Sequence, residues 1–340
     1  MCWGEKMKVE LNDVLYYEKW NANYWSPSPS VGADAEEKMA IYVKALRSFS
    51  KNHSLLHSLL EILPFMILFL TWVGIIFYLP QILDNKVLLF FLLGSLHGIW
   101  GYSYVVFSLH EGAGHGLLNG TPLRFLAFHS SRLMFADPIF YKEAHSTHHR
   151  HLGTIRDASF TQYVSLKRVL KSLLPGAGIL FPNEYKIHQG DQITASLLVS
   201  FFVGGLFLSL EVYLLKDLFS WWQILLCFGL FGPWIGFSLD RLRESLEHWG
   251  MPQARQYGSK EFGIGLWGLL IGGGPWGQPC HFSHHYAPDL SWYQQLQLHF
   301  FLKKINIQLP ADFLFKEGLQ LKTILKRITS QKLPGTKYGI

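Results

Sequence analysis

Apolar residues in this chain gather into four long runs separated by polar stretches. The runs cover residues 62–79, 87–109, 194–215 and 219–239, each close to the ~20 residues that a helix needs to cross a bilayer. Seven residues (80–86) link the first two runs and three (216–218) link the last two, so each pair reads as a helical hairpin. Pro64 and several glycines inside the runs are tolerated in membrane helices, where neighbours re-satisfy the backbone. Outside the runs, residues 36–52 have the pattern of an amphipathic helix. The tail from Pro310 mixes Phe and Leu with Lys316, Lys322, Lys326 and Arg327, as an interfacial helix does. The pattern predicts an all-α integral membrane protein with four transmembrane helices. Its parts are an N-terminal region over 1–58, a membrane unit over 59–303 and a basic amphipathic tail over 304–340.

Composition sharpens this picture. Of 340 residues 49% are hydrophobic and only 16% charged, whereas soluble domains run near 25% charged. A soluble globular enzyme is thereby disfavoured. The net charge of +6 at first invites a nucleic-acid partner, but its distribution answers otherwise. Seven Lys and Arg precede the first run, nine lie between the second and third, and twelve follow the fourth, while the hairpin links hold only Lys86 and Lys216. By the positive-inside rule the heavily basic face is cytoplasmic, together with both termini and the 110–193 segment. The charge is a topology signal, and no nucleic acid is expected. The first twenty residues lack the basic start, apolar core and small-residue cleavage site of a signal peptide, so export is not expected.

The chemistry rests on histidine, of which there are 16. Three cysteines (Cys2, Cys227, Cys280) form no CxxC, so a metal would be held by His and carboxylate. His110 and His115 follow the second run as HEGAGH; His145, His148 and His149 form HxxHH; His248 follows the fourth run; His281, His284 and His285 form a second HxxHH. Positions i, i+3 and i+4 share one helix face, which lets the imidazoles of an HxxHH box be shared between ions a few ångströms apart. His110 and His115, five apart, are too far round one ideal helix face, so a bend permitted by Gly112 and Gly114 is expected. The same i+5 spacing removes the logic of the zinc-protease HExxH site. Neutral imidazole suits iron, copper, nickel and zinc, and nine histidines suffice for two ions. The other seven (His53, His57, His97, His129, His151, His188, His299) receive no metal role.

The ordered boxes HxxxxH, HxxHH and HxxHH around two hairpins, over about residues 60–300, resemble the membrane-bound fatty acid desaturase and alkane hydroxylase superfamily. Within it, His148, His149, Thr154, Asp157 and Ser159, with Leu246-Glu247-His248-Trp249-Gly250, are similar to the alkane-hydroxylase branch, whose second box has one residue more. The stretch after the third box, HHYAPDLSWYQQLQLH, is similar to acyl desaturases. The resemblance implies a helical membrane domain with a helical cytosolic cap holding two irons on His110, His115, His145, His148, His149, His248, His281, His284 and His285. It also implies O₂ as co-substrate and attack on an unactivated C–H bond of a long fatty-acid, acyl or alkane chain. Desaturation is the first expectation; hydroxylation, or oxidative decarboxylation to a terminal alkene, would use the same cage.

Further expectations concern the chain's surroundings. His97 lies inside the second run, where an unpartnered imidazole is costly, so it is a candidate for substrate contact or a buried hydrogen bond. Arg241 and Arg243 are candidates for holding an anionic head group. No fused cytochrome b5, rubredoxin or dinucleotide fingerprint is present, so a separate electron donor (ferredoxin, rubredoxin or cytochrome b5 with its reductase) is expected on the basic face. A metal transporter or sensor is the alternative from another class. It fits less well, because the runs offer mainly His97 and Glu211 to carry an ion across.

Overall fold

A computed structural model describes residues 33–116, 118, 121, 123–152, 191–248 and 259–304. Thr154, Asp157, Ser159, His188, Trp249, Gly250 and the 305–340 tail lie outside the described residues. Among the described residues the chain is helical and has no β-strand. In chain order the helices are α1 (Ala33–Asn52), α2 (Ser54–Ile82), α3 (Lys86–Gly114), α4 (Arg124–His129), α5 (Pro138–His151) and α6 (Asp191–Leu215). They continue with α7, which runs from Trp221 to Glu247, then α8 (Leu266–Gly272), α9 (His281–Tyr286) and α10 (Trp292–Lys304).

Among the described residues four helices are long and apolar enough to cross a membrane: α2, α3, Ala195–Leu215 of α6 and Trp221–Glu244 of α7. The first two are longer than the hydropathy runs, and the seven-residue link shrinks to 83–85. The cause is Asn85, whose side chain accepts from the backbone N–H of Val87 (3.1 Å) and Leu88 (3.0 Å) and so caps the start of α3. Hydropathy alone does not register a cap.

α3 is the central helix: 56% of its apolar window is buried, against 17–28% for the other three. It packs most extensively against α7. A Cβ at Gly98 would lie 2.5 Å from the carbonyl oxygen of Gly232, so this crossing depends on bare backbone at 98. The outward sides of α2 and α6 expose Met66, Phe69, Leu70, Phe201 and Phe202, more contiguous apolar surface than water tolerates. Beneath them Leu68, Trp72, Leu93, Trp100, Phe107 and Phe228 belong to one apolar core. A second core joins Met39, Val43 and Leu46 of α1 to Phe282, Leu290, Leu298 and Leu302 around α9 and α10. The N-terminal helix therefore shares its interior with the segment that carries the last histidine box.

Candidate metal centre

Each box is aimed by a local device. At His110 and His115 the end of α3 widens into a π-helical turn, Ser108–Gly114. The His115 N–H donates to the His110 carbonyl at 3.0 Å, an i→i+5 bond between the two box residues themselves. In an α-helix five residues carry a side chain well round the far side, whereas a π turn returns position i+5 near position i. The expected bend is thus a wider turn. Gly114 is needed because a Cβ there would lie 2.8 Å from the His145 ring.

The second box rides on α5. Asp137 caps this helix by accepting from Ile139 N (2.8 Å) and Phe140 N (3.1 Å), with Pro138 at the first position. Ser196 of α6 donates to the same Asp137 oxygen (3.0 Å), which ties the box to a membrane-length helix. The third box occupies the short α9, whose start is capped from a distance. Glu261 accepts from Phe282 N (2.9 Å), Ser283 N (3.2 Å), Ser283 Oγ (2.9 Å) and His299 Nδ1 (2.7 Å). His248 ends α7.

The nine imidazoles predicted to act together do converge. His110, His115, His145 and His284 each bring a ligand atom to within 4.8 Å of the others. His148, His248, His281 and His285 do the same, and His149 joins His284 and His285 between the two groups. All nine are buried except His115, which is partly so. Each of these groups can hold a metal ion.

Proton counting tests that fit. Nε2 atoms approach in a chain: His110 to His284 (3.1 Å), His284 to His149 (2.9 Å), His149 to His145 (3.1 Å) and His145 to His115 (2.8 Å). In the second group His248 meets His281 (3.2 Å) and His281 meets His285 (3.1 Å). A ring nitrogen has one in-plane position, holding either a proton or a lone pair. It can therefore complete only one of these bonds, and a linked chain of five nitrogens cannot turn all four approaches into hydrogen bonds. Lone pairs pointed at a shared cation resolve the conflict. With metal–nitrogen bonds of roughly 2.1 Å, neighbouring ligands stand about 3.0–3.4 Å apart, close to the observed spacings.

The electrostatics favour neutral ligands. Burial lowers the His115 pKa to about 4 and holds His145, His281 and His284 well below the ordinary imidazole value, reinforced in the last three by neighbouring histidines. His110 Nδ1–H donates to Glu111 Oε1 at 2.8 Å, the outer contact that leaves the Nε2 lone pair facing inward. Burial raises Glu247 to about 7 against the pull of Arg243, and its carboxylate lies 3.6 Å from His281 Nε2. A third group, Glu261, Cys280 and His299, also has metal-ligand proximity. Glu261 there already accepts four hydrogen bonds, as many as a carboxylate has lone-pair sites, and acts as the strut beneath α9.

A cavity of about 650 Å³ is walled by α3, α5, α6 and α7 and is lined by His145, His148, His248 and His281 of the cage and also by His97 and Glu211. The rest of its wall is mainly apolar, including Val106, Leu133, Phe207 and Phe237. His97 does line it, and its Nε2 is 2.8 Å from Glu211 Oε1. Arg241 and Arg243 also line it, but both are already engaged. Arg243 donates to both carboxylate oxygens of Glu247 (2.9 and 2.7 Å), to Asp240 (2.9 Å) and to Gln278 (3.0 Å), and Arg241 donates to Glu244 (2.6 Å). Three carboxyl groups meet two guanidinium groups, so the expected open clamp for an anionic head group is instead a neutralised wall.

The sequence reading passed over Glu111 and Glu261. Glu111 stands beside a box histidine and was within reach of inspection. Nothing local marks Glu261, which sits twenty residues before the box it caps. Comparison of the chain with protein-family models, with curated proteins and with solved structures finds no match.

Proposed function

We propose that this chain is an O₂-dependent diiron membrane enzyme that oxidises an unactivated C–H bond of a long alkyl chain, with fatty-acyl desaturation as its reaction. The observation that carries the reading is that histidines of both four-histidine groups line one mainly apolar cavity. The nine box histidines are the proposed iron ligands. When bound, a reduced diiron centre supplies activation of O₂ for hydrogen removal from an alkyl carbon. The protein's part is positioning. The wall of Val106, Leu133, Phe207 and Phe237 excludes water and holds a chain extended, so that a chosen carbon lies beside the histidines. The carboxylate-paired Arg241 and Arg243 form part of the cavity wall.

In this reading α2 with α3 and α6 with α7 form two transmembrane hairpins. The histidine cage and both termini lie on the cytoplasmic side, as the excess of Lys and Arg outside the links supports. Lipid is the reservoir of substrate, and a separate ferredoxin, rubredoxin or cytochrome b5 delivers electrons at the basic face. Desaturation is chosen because the stretch from His284 to Trp292 and Tyr293 is similar to that of acyl desaturases. Trp292 donates to the Leu60 carbonyl (3.1 Å) and Tyr293 meets His57 Nδ1 (2.7 Å), so this stretch locks α10 onto α2.

Aerobic turnover by purified, iron-loaded protein with a reductase system tests the proposal, with C16–C18 acids, acyl-CoAs and alkanes offered in parallel. A product two hydrogens lighter supports desaturation. An added oxygen redirects the reading to hydroxylation, and a hydrocarbon one carbon shorter redirects it to decarboxylation. Protein that takes up no iron, or a His148→Ala variant with unchanged activity, overturns the diiron enzyme.

A further inference from the structure

Phe135 has a left-handed backbone (φ 59°, ψ 6°), a conformation that glycine adopts freely and an aromatic residue does not. It follows the 3₁₀ turn Ser130–Met134, and its N–H donates to the Arg132 carbonyl (3.1 Å). Residues of α6 fix the chain on either side of it. Arg132 donates to Ser196 Oγ (2.8 Å) and Ser200 Oγ (2.7 Å), and Ser196 Oγ donates to Asp137 at the start of α5 (3.0 Å). A strained residue persists only where its surroundings over-determine it, and such residues gather at ligand clamps and switches.

The Phe135 ring has a seat. It lies on Gly204 of α6, where an added Cβ would come within 2.6 Å of the ring, and it faces Phe201 at 6.2 Å between centroids. Both rings line the cavity and both keep accessible surface, Phe135 36% and Phe201 56%. Leu230 and Pro233 of α7 likewise line the cavity and are exposed. Phe201 stands six residues into the span Ala195–Leu215, about 9 Å along the helix, so this surface belongs to the apolar layer. α6 packs against α7 beside their link, at Trp221–Phe231, and the cavity is walled by both helices.

We infer that the cavity opens sideways into the bilayer between α6 and α7, with Phe135 as its gatepost, and that its ligand is a long chain dissolved in the membrane without a large water-soluble carrier. A chain passing between the helices keeps to apolar surroundings throughout, so no step exposes it to water. A polyanionic carrier such as coenzyme A cannot follow it, because its charges would enter the apolar layer unpaired. The left-handed backbone sets the ring at the opening, and the bare Gly204 gives the ring room against α6. The inference rests on the reading that the cavity holds the substrate chain.

The test follows a photoreactive chain, independent of metal and turnover. A C16 acid with a diazirine at its far end is added to the full chain in phosphatidylcholine vesicles and flashed at intervals, and mass spectrometry reads the crosslinked residues. Wild type should be labelled at the rim residue Phe201 and at Leu133 and Val106 in the cavity wall. Phe135→Gly keeps the left-handed backbone at no steric cost and removes the gatepost. Labelling of Leu133 and Val106 should then proceed about tenfold faster, the scale of one lost aromatic contact, to the same final yield. Gly204→Ala drives the ring off its seat, should slow the same labelling, and serves if Phe135→Gly does not fold. The CoA thioester of the same acid should leave the cavity unlabelled over the time in which the free acid saturates it. Cavity labelling that Phe135→Gly does not hasten and Gly204→Ala does not slow, or that is as fast from the thioester as from the free acid, overturns the side opening and leaves the cavity reading standing. Absence of label at Leu133 and Val106 with both probes overturns the cavity reading itself.

Discussion

Two kinds of buried histidine occur in this molecule. His97 and His299 each turn one nitrogen to a carboxylate, Glu211 at 2.8 Å and Glu261 at 2.7 Å, where one ring N–H and one carboxylate oxygen satisfy each other. The histidines of the cage turn Nε2 to one another at 2.8–3.2 Å, where protons alone leave some contacts unsatisfied. His110 belongs to both kinds, with Nδ1 on Glu111 and Nε2 on His284. Imidazole facing carboxylate is a structural tie; imidazole facing imidazole asks for a cation. The total number of histidines carries no such distinction, but their partners do.

His284 is where the comparison breaks most sharply, since it lies in one four-histidine group and also in the group that joins the two. His284→Ala should lose bound iron measured by elemental analysis and abolish turnover, while His299→Phe should keep the metal and lose stability. Iron retained at wild-type stoichiometry in His284→Ala would erase the contrast. Next in size is Glu261→Ala, which strips four donors of their acceptor and should destabilise the fold by about 3–5 kcal/mol, read from the denaturation midpoint in detergent.

Acid sharpens the same contrast. His115 has a folded pKa near 4 against 6.5 when exposed, so between these values the unfolded chain binds a proton that the native cage refuses. Stability from this group is full above 6.5 and is lost as pH falls toward 4. His145, His281 and His284 are shifted in the same direction and add to the loss. Metal-free protein should therefore show a falling Tm across that window, and iron should protect it by holding the imidazoles neutral. A flat Tm between pH 6.5 and 4 would contradict the burial of the cage. The smallest effect belongs to the exposed pair of Arg47 and Asp289, bonded twice at 2.6 Å but with both side chains half exposed. Arg47→Ala should cost about 0–1 kcal/mol, an amount that salt diminishes in a thermal shift assay.

Much of this was legible in one dimension. Apolar runs mark the four membrane-length helices because a helix must be apolar over its whole length to lie in lipid, and that requirement is local. HxxHH boxes are legible for the same reason, since the helix period alone brings i, i+3 and i+4 to one face. The first box was only half legible. Its glycines announced a departure from the α-helix, but the wider π turn depends on how α3 meets α4 and α5. Arg241 and Arg243 show the opposite failure. Their charge was plain in the sequence, yet their availability depended on Glu244 for Arg241 and on Glu247 and Gln278 for Arg243, the last from a distant segment.

The sequence by itself determined the helices, their apolar character and which histidines were placed to act together, because each depends on residues within a turn or two of one another. Only the tertiary structure decided that the imidazoles form two joined groups, that Glu261 aims the third box from twenty residues away, and that His97 meets Glu211 of another helix. Those are matters of partners. A side chain's chemistry is written beside its neighbours in the chain, but its protonation, engagement and access are settled by whatever the fold brings against it.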